Sequence, residues 1–237
     1  MLPCLSPCTV FSPCNQTSIG YCQIKLNKKK LPLVRLLMAT ACYETLERKM
    51  TELKKYLIRL VDFTESEMEK FTSLFSESRL KKNEYLAVEG EYSSKLVFIT
   101  HGVMRAFFRN NNGNEYNKTF FTEYNFVGAY SSLVTKQQNL INIQCLTDCS
   151  VLIADYEQVT NLYNDFPKVE RLARILAEHF FVSKETREIE LVMLDASERY
   201  TIFQKKHPNL EHLIPQYHIA SYLGITPTQL SRIRAKK

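Results

Sequence analysis

The sequence predicts an α+β fold in which a strand-rich block is followed by one long helix and a small helical end. Three observations support this order: glycines at regular intervals between short apolar runs, an amphipathic stretch that opens at Pro167, and two short helices with matched apolar faces at the end. With 237 residues, of which 45% are hydrophobic and 24% charged, the chain can bury one or two cores. The composition therefore excludes a disulfide-stapled miniprotein and a disordered tail.

Short apolar or aromatic runs define the strand-rich block. Gly90, Gly102, Gly113 and Gly128 separate these runs at intervals of twelve, eleven and fifteen residues, which is typical of an all-β barrel or roll. The segment Asn-Asn-Asn-Gly-Asn also predicts a hairpin, because Asn and Gly tolerate positive φ. The predicted strands are 96–99, 103–108, 119–121, 140–143 and 151–153, with turns at 89–91, 101–102, 110–114 and 125–128.

Helices are predicted on both sides of this block. Apolar residues recur at helical spacing from Met50 to about Ser78, and Thr64 with Glu67 resembles a capping box. The stretch 166–194 keeps apolar residues on one side and has a proline in its first turn. A helix of this length needs a partner for its apolar stripe, and a parallel homodimer through this helix is the preferred solution. The alternative is a helix that packs back on its own barrel.

The N-terminal residues 1–49 differ from the rest of the chain. They carry a net charge of +5, out of +6 for the whole sequence, and five of the seven cysteines lie in the first 42 residues. This segment is predicted to be a disordered extension, or a misassigned start that precedes a true start at Met50. The cysteine spacings do not match a zinc or iron–sulfur site, so neither a metal nor a cofactor is predicted. Cys145 and Cys149 lie in apolar strands, where free cysteines are usually small buried hydrophobes.

The last 24 residues carry the pattern of a helix-turn-helix. Gly224 suits a left-handed turn after the first helix, Thr226 can cap the second helix, and Pro227 fits its first position. The segment contains four basic residues and no acidic one, which favours an anionic partner. The apolar residues spaced as the inner faces of two short helices are Ile219, Leu223, Ile225, Leu230 and Ile233.

In this motif the second helix lies in the major groove of double-stranded DNA, with its N-terminal residues on base edges. Arg232 suits guanine, Gln229 suits adenine and Thr228 suits a thymine methyl group. Basic residues at the end of the helix, including Lys237, suit phosphates, which position the protein without reading sequence. The candidate DNA-binding residues are Thr226, Pro227, Thr228, Gln229, Ser231, Arg232, Arg234 and Lys236.

The order of roll, long helix and helix-turn-helix resembles the Crp/Fnr family of bacterial transcription regulators, from about Phe71 to Lys237. The four glycine turns and the Leu194-Asp195 junction fall at the family's spacing. The resemblance implies a cyclic-nucleotide-binding-like double-stranded jelly roll, a dimerisation helix and a cytoplasmic homodimer on a palindromic operator, with RNA polymerase as a further partner. The C-terminal domain is expected to lack the family's full wing, because the sequence ends at Lys237. The implied domains are 1–49 (extension), 50–165 (roll with N-terminal helices), 166–194 (dimerisation helix) and 195–237 (helix-turn-helix).

The residues that correspond to the family's effector pocket depart from the cyclic-AMP-binding pattern. In that pattern a glutamate follows a glycine and holds the ribose, and a later Arg-Ser pair holds the phosphate. Here Ala129 follows Gly128, and the later pair is Asn139-Leu140, which supplies neither a cation nor a hydroxyl. The helix pair that meets adenine in the family corresponds to Lys184-Glu185. The roll is therefore expected to be degenerate or tuned to an unknown small effector.

Two other classes of function are less well supported. A small-molecule-binding module whose helical tail makes protein contacts is the alternative, and the acid-free tail disfavours it. An enzyme is not expected, because the five histidines are scattered and no phosphate loop or nucleophile elbow is present. No apolar run reaches 18 residues, so a membrane partner is not expected either.

Overall fold

The computed structural model describes residues 46–236, where helices surround two antiparallel sheets. The strands are β1 (Ser76–Leu80), β2 (Tyr85–Ala87), β3 (Lys95–His101), β4 (Met104–Arg109), β5 (Glu115–Phe121), β6 (Phe126–Val127), β7 (Asn142–Cys145) and β8 (Cys149–Asp155). The helices are α1 (46–58), α2 (Glu65–Thr72), α3 (Tyr130–Thr135), α4 (Tyr156–Asn161), α5 (Pro167–Met193), α6 (Ala196–Lys206), α7 (Leu210–Leu213), α8 (Gln216–Leu223) and α9 (Pro227–Ala235). The predicted α+β class with an N-terminal roll is confirmed.

Each sheet contains four strands, in the orders β1-β8-β3-β6 and β2-β7-β4-β5. Strands that follow each other in sequence lie in different sheets, except β4 and β5, so the chain repeatedly crosses between the sheets as in a jelly roll. The first and last of the described strands, β1 and β8, lie side by side. The predicted Asn-rich hairpin joins β4 to β5 and pairs Arg109 with Glu115. β5 stands at the edge of its sheet, where one side of the strand has no neighbouring strand.

Apolar side chains fill the space between the sheets and a second layer under the helices. Phe98 and Leu152 pack in the second layer, together with Leu53 of α1 and Val169 of α5. Both faces of the sheet containing β3 are therefore covered, which explains its continuous apolar sequence. Cys145 and Cys149 are buried in the inner layer, as predicted. The other inner-layer residues include Val97, Ile99, Met104, Ile143 and Val151.

Several local predictions are confirmed. Thr64 and Glu67 form a complete capping box at the start of α2. Gly90, Gly102 and Gly113 have positive φ, as turn glycines should. Gly128 lacks a positive φ, and a Cβ there would approach Leu133 Cδ1 to 2.8 Å, so that side chain would have to shift.

Other predictions were wrong at element boundaries. The turn predicted at 125–128 contains the buried strand β6, which pairs with β3. The strand predicted at 140–143 begins at Asn142, because Leu140 lies in a bend and its side chain is 77% exposed. The helical pattern predicted to about Ser78 gives way to strand β1 at Ser76, where pairing with β8 replaces the helix.

The predicted extension 1–49 falls mainly outside the described residues, which begin at 46. Residues 46–49 belong to α1, so the helix expected to open at Met50 includes four earlier residues.

The long helix α5 has two different halves. Val169 and Leu172 are buried against the helices and sheet of the roll, so the alternative of a helix packed on its own barrel holds for the first turns. The second half exposes large apolar side chains, and Phe181 is 65% and Val192 83% exposed. The apolar stripe is therefore covered at one end and open at the other.

Candidate functional site

The C-terminal helices form the predicted helix-turn-helix. Gly224 follows α8 with φ of 70°, and its N–H donates to the Ser221 carbonyl oxygen at 3.2 Å. The Ile225 N–H donates to the Ala220 carbonyl oxygen at 3.0 Å, which closes the turn between α8 and α9. A left-handed residue ends the first helix sharply, and glycine adopts this conformation without a Cβ clash. The turn therefore fixes the angle at which α9 leaves α8.

The start of α9 is held by a capping box. The Gln229 N–H donates to the Thr226 hydroxyl at 3.2 Å, and the Thr226 N–H donates to Gln229 Oε1 at 3.0 Å. Pro227 occupies the first turn, as predicted. In this geometry the Gln229 side chain accepts a hydrogen bond from the backbone, although the sequence predicted that it contacts a DNA base. The cap and the predicted base contact would therefore use the same amide group.

One face of α9 anchors the helix while the remaining positions are open. Leu230 is buried and Ile233 is partly buried in the core shared with α6 and α8. The predicted DNA-binding side chains of α9 are all exposed, and Lys237 lies outside the described residues. A surface cleft of about 420 Å³ runs along this helix. Its lining residues are Gln216, Pro227, Leu230, Ser231, Arg234 and Ala235.

Arg234 differs from the other predicted phosphate contacts because its charge also acts within the protein. A hydrogen bond from Tyr200 lowers the pKa of Glu211, and the positive charge of Arg234 lowers it further. Neither Arg232 nor Arg234 forms an ion pair among the described residues.

The segment 128–140, which we call the cassette, holds four of the predicted effector-pocket residues. Ala129 is buried at the start of the short helix α3 and provides no side-chain cap. Lys136 ends α3 in the left-handed conformation and is exposed. Gly128, Ala129, Asn139 and Leu140 thus lie in one loop-and-helix unit, and their assignment to an effector pocket stays a prediction.

Asn139 is used to hold the cassette against the turn between β2 and β3. Its side chain is 3% exposed, and Nδ2 donates to the Val88 carbonyl oxygen at 3.0 Å and to Ser93 Oγ at 2.9 Å. Its backbone N–H donates to the Glu91 carbonyl oxygen at 2.7 Å. Leu140 beside it points away from the core and is exposed. Asn139 therefore has a structural role, whereas Leu140 makes none of these polar contacts.

The other two predicted pocket residues lie on the surface of α5. Lys184 pairs with Glu188 at 3.6 Å, one turn along the same helix, and Glu185 is exposed. Burial, and secondarily the positive charge of Lys184, lowers the pKa of Lys118 on β5. The hydrogen bonds of the described residues do not join Lys184 or Glu185 to the cassette.

Sequence reasoning missed a buried polar cluster where the roll meets α8. Arg105 of β4, with a side chain 5% exposed, donates to Gln144 Oε1 at 2.7 Å, to Asn117 Oδ1 at 3.2 Å and to His218 Nδ1 at 3.1 Å. It also pairs with Glu115 at 2.7 Å. The sequence contained one indication of this cluster: Arg105 interrupts an otherwise apolar run of residues. A cation that is buried with such a run requires polar partners.

His218 is the α8 residue at the centre of this cluster, and it is 4% exposed. Burial, and secondarily the charge of Arg105, lowers the pKa of His218 to about 4. A neutral imidazole leaves Nδ1 free to accept from the Arg105 guanidinium. The His218 carbonyl oxygen also accepts from Asn117 Nδ2 at 3.0 Å.

The family model of the cyclic nucleotide-binding domain matches residues 77–166. FixK2 from Bradyrhizobium japonicum has a similar structure, with a TM-score of 0.61 at 16% identity over 68% of this chain and 83% of that one. The regulator CLP of Xanthomonas campestris gives 0.57 at 17% identity over 71% and 89%. A protein assigned to the Crp/Fnr family from Eubacterium rectale gives 0.59 at 14% identity over 74% and 83%. None of the curated protein sequences compared with this chain matches it.

These matches show which domain family the roll is similar to and which regulators have a similar fold. Residues 77–166 match the family model of the cyclic nucleotide-binding domain and contain both antiparallel sheets apart from the first residue of β1. The described chain as a whole has the fold of Crp/Fnr-family transcriptional regulators, which confirms the resemblance seen in the sequence. Within residues 46–236, none of the helices combines the length and apolarity that crossing a membrane requires.

Proposed function

We propose that this protein is a sequence-specific DNA-binding transcription regulator that acts as a homodimer on a palindromic operator. The observation that carries the proposal is α9, a capped helix anchored on one face, whose described residues predicted to contact DNA are all exposed. An N-terminally fixed, exposed helix after a tight turn is the geometry that a major groove accepts.

The proposed contacts divide into base readout and phosphate binding. Arg232 suits guanine because its guanidinium can donate two hydrogen bonds to one base edge. Thr228 suits a thymine methyl group, and Gln229 suits adenine if its amide serves base and cap together. Arg234, Lys236 and Lys237 supply the phosphate contacts, with Thr226, Pro227 and Ser231 lining the same surface.

The proposed dimer forms through the second half of α5. Its exposed apolar side chains would lose contact with water in a parallel helix pair, which is the main favourable term in such association. The large apolar residues exposed there are Phe180, Phe181, Val182, Ile189, Leu191, Val192 and Met193. The division into roll, dimerisation helix and helix-turn-helix is part of this proposal.

The roll is proposed to have lost the contacts for cyclic AMP. A cyclic phosphate needs a cation or an array of amide donors, and the Asn139 amide already donates to Val88 and Ser93. Regulation by a different small effector remains compatible with the domain. The Xanthomonas protein is described as responsive to c-di-GMP, so that dinucleotide belongs in an effector screen.

Selection of binding sites from random double-stranded DNA, at a stated low salt concentration, tests the main proposal. We expect an enriched palindrome with half-sites about one helical turn apart. An absence of any enriched sequence would overturn the proposal. Unchanged DNA affinity after replacing Arg234, Lys236 and Lys237 together by alanine would instead favour a tail that contacts protein.

Sedimentation of the pair Phe181→Asp and Val192→Asp tests the dimer. Burying charges in an apolar helix pair is unfavourable, so we expect monomers at concentrations where the wild type is dimeric. Glu185→Asp on the same half of α5 is the control. A wild-type protein that sediments as a monomer at high concentration would contradict this part of the proposal.

A further inference from the structure

We propose that Arg105 of the roll is a positioning residue for DNA recognition: through α8 it holds the helix-turn-helix in one orientation and so fixes the half-site spacing that the dimer accepts. This inference rests on the proposed function. Arg105 lies on β4, away from α9, and acts through the residues that it contacts.

The polar part of the contact is directional and buried. Arg105 is fixed within the roll by Gln144, Glu115 and Asn117, with its guanidinium 3.7 Å from the centre of the Phe107 ring. From that position it donates to His218 of α8 at 3.1 Å. A planar guanidinium bound on several edges has little freedom to turn, so it fixes α8 in angle as well as in distance.

The Ser221 hydroxyl adds a contact one helical turn further along α8. It accepts from the Asn117 N–H at 3.0 Å and donates to the Glu115 carbonyl oxygen at 2.8 Å. These backbone groups belong to the edge strand β5, so the hydroxyl fills the place of a pairing strand at this point. Two contacts separated along a helix axis prevent α8 from pivoting about either one.

Apolar and ionic contacts surround the polar ones. Phe120 of β5 packs against Phe203 and Tyr222, with the Tyr222 ring centre 5.3 Å away. From α5, the Arg187 guanidinium lies over the Tyr222 ring at 4.0 Å, and Glu190 pairs with Lys206 of α6 at 2.6 Å. The helix-turn-helix is therefore fixed to the roll and to α5 together.

The consequence concerns geometry between two protomers. In a dimer built on α5, the orientation of α8 relative to α5 decides the separation and rotation of the two recognition helices. One base pair added between half-sites rotates one half-site by about a tenth of a turn, which a rigid dimer cannot follow without strain. A helix-turn-helix that is not fixed to the roll could follow the rotated half-site with less strain.

The test measures DNA affinity against operators whose spacer is shortened or lengthened by one and two base pairs. We expect the wild type to lose about tenfold or more per altered base pair, an effect comparable to a mismatched base pair. Arg105→Met should show a several-fold smaller spacing penalty while keeping the wild-type preference within each half-site. Ser221→Ala removes a single oxygen and should also reduce the spacing penalty. Because this change is small, it keeps the test decisive if Arg105→Met does not fold.

Arg109→Met is the matched control, because Arg109 lies on the same hairpin and pairs with Glu115 at 2.7 Å but is largely exposed. It should retain the wild-type spacing penalty. Hydrogen exchange of the Asn117 amide gives a readout without DNA, and it should accelerate in Ser221→Ala and Arg105→Met but not in Arg109→Met.

The outcomes separate the two proposals. A wild type that binds no preferred DNA sequence would overturn the proposed function and the spacing effect with it. A wild type that binds its operator, with the same spacing penalty in both junction variants, would overturn the positioning role alone. An equal reduction of the spacing penalty in Arg109→Met would also overturn the positioning role. The loss of a positive charge, and not the loss of the buried contact, would then explain the reduction.

Discussion

The cassette and the helix-turn-helix are both built from a glycine followed by a short helix, but they differ in where their polar groups point. At the cassette, the Asn139 amide is buried and donates to the protein's own backbone. On α9, Arg232 is exposed and has no ion pair among the described residues. The two regions therefore differ in what their polar groups meet, which is the protein itself at the cassette and solvent on α9.

The largest expected effect lies where α8 of the helix-turn-helix meets the roll, at the buried contact between Arg105 and His218. The pKa of His218 is lowered to about 4 in the folded protein, against 6.5 for an ordinary histidine. The unfolded chain therefore binds more protons at intermediate pH, and the free energy of unfolding should fall by about 3 kcal/mol as pH drops from 6.5 to 4. Protonation would place a second cation beside Arg105, with Glu115 giving partial compensation.

Denaturant unfolding at several pH values between 7 and 4 measures this. His218→Gln keeps a neutral acceptor and should show a flatter pH dependence than the wild type. His179→Gln, at an exposed position on α5, is the control. If the free energy of unfolding depends on pH in the same way in the wild type and in His218→Gln, then His218 is not responsible for the loss of stability at low pH.

The next effect concerns the exposed guanidinium on α9. Arg232→Ala should lower affinity for the selected operator by about 1–3 kcal/mol and relax the preference at one base pair in each half-site. Titrations against operators substituted at single positions measure both quantities. Arg79→Ala removes an exposed arginine of β1 and should change neither. A uniform loss across all sequences would reassign Arg232 to phosphate binding.

A smaller effect is expected for the buried amide of the cassette. Asn139→Ala removes the donor for the Val88 carbonyl and the Ser93 hydroxyl, which should lower the free energy of unfolding by about 1–2 kcal/mol. Leu140→Ala, at the exposed neighbouring position, should stay within about 0.5 kcal/mol of the wild type. Thermal or denaturant unfolding measures both. Full stability of Asn139→Ala would indicate that this side chain is kept for a ligand.

The smallest expected effect is the response to cyclic AMP. At about 1 mM nucleotide we expect no measurable heat of binding and no change in operator affinity, because Asn139-Leu140 supplies neither a cation nor a hydroxyl at the place of the Arg-Ser pair that holds the phosphate in the cyclic-AMP-binding pattern. Calorimetry and repeated DNA titrations check this, with inorganic phosphate at equal ionic strength as the control. Binding in the micromolar range would show that the cassette uses other donors.

Local signals in the sequence predicted the helix-turn-helix well. Gly224, Thr226 and Pro227 each act on backbone within a few residues, so their effect does not depend on the rest of the fold. The start of α5 at Pro167 was predictable for the same reason. The order of the major elements followed from these signals.

Long-range pairing explains what could not be predicted. β6 has two residues, and its strand character comes from pairing with β3 rather than from its own pattern. Arg105 and His218 are separated by 113 positions, and a single sequence does not indicate that they meet. The sequence showed that Arg105 was an unusual residue in an apolar run, but it did not show which partner it would find.

The Ser221 contact with the edge of β5 also bears on how the chain folds during synthesis. All eight strands precede α8 in sequence, so the roll can form while the helix that covers this edge is still being made. Until then the Asn117 N–H and the Glu115 carbonyl oxygen remain open to pairing with another chain, and exposed edges of this kind promote aggregation. Ser221→Ala should therefore raise the yield of aggregated protein at high expression rates, even where the purified variant is stable.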